Sequence, residues 1–229
     1  MFNKSKTSNK LGREVHKYLE DIGVETPMHK SAEKITDPET QKEIQELYAQ
    51  IMTLQGLDLN DDSLMDTPKR VSKVLTGEKF YGLSYANFPK CTTVINKSPE
   101  DSDLVILRDI ELISLCEHHY EPIIGKCQIA YIPGENILGL SKFNRIVDFF
   151  ARRPQIQERL TKQIFYALRY ILKTDDIAVV IDAEHMCVKT RGVMDACSDT
   201  VTSKTGGRFR EVGALRNEFF QSIDIKKRK

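Results

Sequence analysis

An excess of charge of either sign is what this chain lacks. Its 34 Lys and Arg residues offset 33 Asp and Glu, leaving a formal net charge of +1 over 229 residues. No global field therefore draws it to nucleic acid or to an anionic membrane. CxxC pairs are missing as well. Five cysteines in a chain of this length, none so paired, do not make a disulfide framework. The expectation is a reducing, cytoplasmic compartment in which thiols stay free to bind metal. Long apolar runs are lacking, and stretches such as 177–181 fall far short of the roughly 20 residues that span a bilayer. The opening MFNKSKTSNK has no apolar core of the signal-peptide kind. There is no Gly-rich dinucleotide loop and no internal repeat. What remains, 40% hydrophobic and 29% charged, is an ordinary globular balance. The length allows one sizeable core or two small ones.

Residues 1–35 are polar and lysine-rich with weak periodicity, and are expected to form a flexible extension, with at most a short helix over 12–22. Residues 36–90 read as a helical region. Asp37-Pro38 is an N-cap followed by proline at the first helical position. Ile44, Leu47, Tyr48, Ile51 and Leu54 then recur at helical spacing. Asp66-Thr67-Pro68 repeats the start signal, and Val71, Val74 and Leu75 supply the stripe. Residues 91–229 read as a second unit. Segments 92–95, 103–114 and 126–132 are rich in β-branched residues and are predicted strands. Helices are predicted over 141–152 and, past Pro154, up to about residue 172. Segments 177–183 and 185–191 are predicted strands, 210–223 a last helix, and the basic end 226–229 a solvated tail. This order gives an α+β chain with largely antiparallel pairing.

Histidine and cysteine concentrate the chemistry. In Cys116-Glu117-His118-His119, Cys116 and His119 are separated by two residues and can reach one tetrahedral ion. The shorter gap to His118 chelates less well, so His119 is assigned to the metal and His118 is left free. Cys187, in Glu184-His185-Met186-Cys187, can supply a third ligand. Three protein ligands leave a fourth position for water, as in catalytic zinc. His118 and His185 are then the proton-transfer candidates. Read as a strand, 185–191 sets His185, Cys187, Lys189 and Arg191 on one face, toward the metal. Cys127 and Cys197 are possible fourth donors, which keeps a structural zinc open, although Cys91, Cys127 and Cys197 read first as packing residues.

A second constellation points to an anion. Ser141 is expected to cap a helix whose first turn carries Lys142 and Arg145 on one face. With the unpaired N–H groups and dipole of a helix start, these cations can cradle a phosphate. Taken alone the segment is more often a solvated basic face. Arg191, on the segment that carries Cys187, shifts the balance. Arg70 and Lys73 form another cationic pair at helical spacing. Together they suggest a phosphorylated substrate beside a hydrolytic centre. A buried Glu158 would accept two N–H bonds from a bidentate donor edge, although most helical glutamates are merely exposed.

Leu115-Cys116-Glu117-His118-His119, Ala130-Tyr131-Ile132-Pro133, Gly139-Leu140-Ser141-Lys142-Phe143-Asn144-Arg145-Ile146-Val147, Arg153-Pro154-Gln155-Ile156-Gln157-Glu158-Arg159-Leu160 and His185-Met186-Cys187-Val188-Lys189-Thr190-Arg191-Gly192-Val193 resemble GTP cyclohydrolase I. The resemblance runs from about Asp66 to the last helix and includes Tyr85-Ala86-Asn87-Phe88-Pro89-Lys90. It implies a tunnelling fold, an antiparallel four-stranded sheet with helices on one face, preceded by an N-terminal helical region. It also implies a toroidal homodecamer with active sites between neighbouring subunits. Residue by residue, it implies Zn2+ on Cys116, His119 and Cys187, with His118 and His185 catalytic. Ser141, Lys142, Arg145 and Arg191 fall on the triphosphate, Arg70 and Lys73 are donated by an adjacent subunit, and Gln157 and Glu158 lie at the guanine. The implied reaction turns GTP and water into 7,8-dihydroneopterin triphosphate and formate, the first step toward tetrahydrofolate or tetrahydrobiopterin. Segments 196–199 and 203–205 depart from the threonine-rich version of some relatives, which touches loop detail but none of the metal or phosphate positions.

Overall fold

The structure is a computed structural model that describes residues 3–211 and 213–223; the basic end 226–229 lies outside them. Helices α1 (Asn9–Asp21), α2 (Pro38–Leu54) and α3 (Thr67–Lys73) come first. Strands β1 (Thr93–Ile95), β2 (Val105–Cys116), β3 (Pro122–Tyr131) and β4 (Asn136–Leu138) lead into helix α4 (Leu140–Ala151). A two-residue strand β5 (Pro154–Gln155), helix α5 (Gln157–Leu172), strand β6 (Ile177–His185), the one-turn helix α6 (Met186–Lys189), strand β7 (Thr200–Thr205) and helix α7 (Ala214–Ser222) complete the chain. Among the described residues no helix is long and apolar enough to cross a membrane.

The main sheet runs β5-β2-β3-β6-β7. Its four long strands pair antiparallel, while β5 adds a short parallel edge to β2 at Leu115 and Cys116. This is the expected α+β sheet with one small addition. Alternation sorts β3 between two layers: Cys127, Ile129 and Tyr131 belong to the core under α4 and α5, while Ala130, and Ile132 just past the strand, belong to the opposite face. There Phe209, Phe219 and Ile223 cover them, so the last helix closes part of the face that the sequence reading leaves bare. Residues Ile177, Ala178, Val179, Val180 and Ile181 are all fully buried, as a strand covered on both sides requires. On α4, Phe143, Ile146, Val147 and Phe150 make a fully buried stripe at helical spacing, and Leu160, Ile164 and Leu168 do the same on α5.

The expected flexible extension is instead packed. Ser8 caps α1 through Leu11 N–H, and Val15 and Leu19 are fully buried against the core. A Cβ on Gly12 would lie 2.1 Å from the Tyr85 carbonyl oxygen, so only glycine lets α1 approach that closely. Beyond the helix, Glu25 accepts from Arg153 Nη1 at 2.9 Å, from Gln163 Nε2 at 3.1 Å and from the Tyr85 hydroxyl. The polar composition of residues 1–35 hides a four-residue repeat, Leu11, Val15 and Leu19, and a charge whose partner lies far along the chain.

Three further boundaries differ from expectation. Segment 185–191 is no strand: β6 stops at His185 and α6 follows. Strand β7 was not anticipated, because Thr200-Val201-Thr202-Ser203-Lys204-Thr205 carries one large apolar residue and sits at a sheet edge. The last helix starts at Ala214, after Gly213, rather than at 210. Helix α2 forms as predicted, yet only its Met52 is buried, and Leu47, Ile51 and Leu54 lie exposed on it.

Candidate active site

Cys116 ends β2, and the chain returns to β3 through Glu117, His118, His119, Tyr120 and Glu121. Cys116 N–H donates to Glu121 O at 2.8 Å and Tyr120 N–H to Cys116 O at 2.9 Å. Tyr120 takes a positive φ of 57° to close the turn. From the other side, Glu117 N–H donates to Gln155 O at 3.0 Å, where β5 docks on β2. The turn is thus anchored on two flanks. Opposite it, Ile123 of β3 pairs with His185 at the end of β6. The single turn of α6 then brings Cys187 to Cys116. Ligand atoms of Cys116, His119 and Cys187 lie within 4.8 Å of one another. The sequence reading put Cys187 there by strand alternation, whereas a helical turn does it. Lys189, expected on the same face, turns instead to Glu184 at 3.2 Å and to Ala196 O at 2.7 Å. Arg191 does arrive, its Nη1 at 2.8 Å from His119 Nε2.

The other cysteines are elsewhere. Cys127 is fully buried in the core and Cys197 is exposed. Burial pushes the Cys91 thiol up to about 12, with Lys142 and Arg145 pulling it back. Among the described residues the metal-type group holds three donors, Cys116, His119 and Cys187. Burial, and then the neighbouring Cys116, raise the Cys187 thiol above its usual range, while Arg191 opposes them. A metal ion held by Cys116, His119 and Cys187 would favour the thiolate forms instead.

His118 borders the group, and His185 stands two residues before Cys187. His118 Nδ1 lies 3.7 Å from Cys116 Sγ and its Nε2 lies 3.8 Å from Glu117 Oε1. Glu117 is in turn held by Arg159, whose Nε donates to Gln155 Oε1 at 3.1 Å. Arg159 follows Glu158 in sequence, yet the carboxylate it finds is that of Glu117. His185 Nε2 is 2.7 Å from Gln157 Oε1. Burial lowers the His185 pKa, and the Glu158 carboxylate partly offsets this. Glu158 itself is exposed on the first turn of α5, not buried, and Gln157 is fully buried.

The anion residues are placed differently. Helix α4 begins at Leu140 with Gly139 as its cap, so Ser141 lies inside the first turn and makes no capping bond. Lys142 and Arg145 are half-buried near that end. The other end of α4 is the one beside the metal group, since Ala151 O accepts from Ser114 Oγ at 2.7 Å, two residues before Cys116. At 1.5 Å per residue, Lys142 stands about 14 Å up the helix from Ala151. Arg70 is exposed on α3 and pairs with Asp66 at 3.7 Å, and Lys73 is exposed at the end of that helix. Within one chain, then, Cys116, His118, His119, Cys187 and Arg191 converge, while His185, two residues before Cys187, bonds to Gln157 with Glu158 nearby. Ser141, Lys142, Arg145, Arg70 and Lys73 bond to none of them.

Fold and donor set together define an α+β protein with a candidate metal centre, two thiols and an imidazole, flanked by two histidines able to move protons. The family model for GTP cyclohydrolase I matches residues 44–224. The chain belongs to that family. It is 51% identical over 205 residues to GTP cyclohydrolase 1 of Photobacterium profundum, covering 90% of this chain and 93% of that one. It is also 51% identical over 210 residues to the Yersinia enterocolitica GTP cyclohydrolase 1, covering 91% and 94%. Among solved structures, a Burkholderia dihydroneopterin aldolase bound to guanine matches at a TM-score of 0.32 and 14% identity, over 48% of this chain and 93% of that one, too low a score to bear on the fold.

Proposed function

We propose that this chain opens the guanine imidazole ring of GTP by hydrolysis, releases formate and yields 7,8-dihydroneopterin triphosphate. The observation that carries the reading is the meeting of Cys116, His119 and Cys187 donor atoms within 4.8 Å, beside His118 and His185. Two thiolates and an imidazole suit a borderline-soft ion, so zinc is the metal we assign there. When bound, zinc supplies Lewis-acid activation of water near neutral pH. The chain's own groups do the rest. His118 and His185 exchange protons with the guanine ring as it opens at C8, one protonating N7. A second hydrolysis frees formate, and the ribose rearranges and closes onto the exposed amine. Glu158, exposed near His185, is the carboxylate we assign to accept two N–H bonds from the guanine edge.

The triphosphate needs cations, and Arg191 is the one the chain itself brings to the metal group. The separation of Lys142 and Arg145 from that group along α4 supports a site completed by a second copy, whose Ser141, Lys142 and Arg145 face the first copy's Arg191. Arg70 and Lys73 we assign to the same shared site. The uncovered Leu47, Ile51 and Leu54 on α2 support association, and a toroidal homodecamer is the assembly we assign. Metal-binding thiols must stay reduced, which favours the cytoplasm.

Mixing variants tests both claims at once. Arg145→Ala alone should raise the Michaelis constant for GTP by about tenfold or more, and Cys187→Ser alone should be inactive. Arg145→Glu, which reverses the charge, should also be inactive. Co-assembled at random with Cys187→Ser, it should restore about one site in four, because an intact metal side can meet an intact cation side from another chain. Formate release measures it. No recovery would place both halves of the site within one chain, and a parent protein that releases no formate from GTP would end the reading.

A further inference from the structure

Gln157 was expected at the guanine, but its amide is already committed. Nε2 donates to Thr200 O at 2.8 Å, and Ile181 O and Thr202 Oγ1 lie within reach at 3.1 Å each. The side chain is 1% exposed. Its orientation follows from the direction of the surrounding bonds. Thr161 Oγ1 donates its single proton to Gln157 O at 2.8 Å. Toward Thr202 Oγ1, at 2.7 Å, Thr161 can therefore only accept. Thr202 gives its proton there, so toward Gln157 it too can only accept. The amide nitrogen must face Thr202, as the two backbone carbonyls independently require. The amide oxygen is thereby fixed at the other end, 2.7 Å from His185 Nε2.

An amide oxygen accepts and cannot donate. His185 must then carry a proton on Nε2, and as a neutral imidazole it holds its lone pair on Nδ1. We propose that Gln157 is a positioning residue: through the Thr161–Thr202 ring it holds His185 in the Nε2–H tautomer, so that Nδ1 is the atom through which His185 takes and returns protons. Reading the base is left to other groups. The local order of the chain explains the arrangement. Gln157 opens α5, Ile181 lies on β6, and Thr200 and Thr202 lie on β7, so one side chain ties the helix to two strands and to the histidine that ends β6.

The inference rests on the GTP reading for its kinetic arm only. The first arm is nitrogen-15 NMR of the unaltered, assembled protein labelled at histidine, with His185 assigned by loss of its signals in His185→Asn. The neutral His185 ring should show a protonated Nε2 and an unprotonated Nδ1, and the opposite tautomer would overturn the proposal. The second arm is Gln157→Leu, assayed with GTP and with inosine triphosphate, which lacks the exocyclic amine. The turnover number should fall roughly 100-fold, with the Michaelis constant for GTP and the preference for GTP over inosine triphosphate held within about twofold. A raised Michaelis constant with lost base preference would assign Gln157 to the guanine and defeat the proposal, as would an unchanged turnover number. If Gln157→Leu does not fold, the tautomer of the parent protein decides. If the parent does not process GTP, the catalytic reading fails separately and the tautomer still stands or falls on its spectrum.

Discussion

Cys187→Ser should lose bound zinc and GTP turnover together, turnover by at least about 1,000-fold, while the fold persists. The reasoning is local. Cys187 is half-buried in the single turn after β6, outside the sheet interior, so a serine there removes little packing. What it removes is one of two sulfurs in a three-donor group. A serine hydroxyl does not ionise near neutral pH and is a poor ligand for a borderline-soft ion. Losing several kcal/mol of charge stabilisation by the metal corresponds to a loss of about three decades in rate. Elemental analysis beside a formate assay checks the pair of outcomes, and circular dichroism checks the fold. A variant that keeps one zinc per chain would show that Cys187 is not a ligand.

Removing the Glu25 carboxylate should unfold the chain more readily than any change at the site. Arg153 is fully buried, and its guanidinium lies 4.9 to 5.1 Å from the ring centres of Tyr85, Phe149 and Phe150. It donates to Glu25 and to Gly82 O, while its Nε has no partner. Glu25→Leu strands that cation in an apolar setting, which costs about 3–5 kcal/mol. The double variant Glu25→Leu with Arg153→Met removes both charges, and an apolar replacement of a buried pair is often close to neutral. Urea unfolding should therefore find the double variant more stable than Glu25→Leu alone. A loss below about 1 kcal/mol in the single variant would place the pair in effectively high dielectric. Activity should suffer with stability, because Arg153 precedes the Pro154–Gln155 strand that pairs with Cys116 and holds the Glu117 amide.

The Cys116, His119 and Cys187 donor group was legible because its chemistry is rare and the first two of its members lie close in sequence. Cys116 and His119 share one turn, at a spacing that lets a thiol and an imidazole reach one ion. Cys187 was legible for its residue type but not for its path: alternation predicted a strand where a helical turn forms. Strongly periodic buried segments were readable, as α4, α5 and β6 show, since their burial and their pattern agree. Strand β7 was not, because an exposed edge strand of Thr, Ser and Lys carries no apolar alternation, although its backbone and Thr202 hold Gln157. In the N-terminal segment the short helix over 12–22 was legible and forms as α1, but its packing was not. Its fixing contacts, Glu25 with Arg153 and Gly12 with Tyr85, are between residues remote in sequence, and no local window contains both partners. The roles of Gln157 and Arg159 likewise depend on which atoms face them, which residue type alone leaves open.

The most direct measurement is GTP turnover by the parent protein stripped of metal and then titrated with zinc. Formate, and the fluorescent pterin formed after oxidation, should be lost on stripping and regained in proportion to zinc, saturating near one ion per chain. Undiminished formate release by protein from which the metal has been removed would contradict the account.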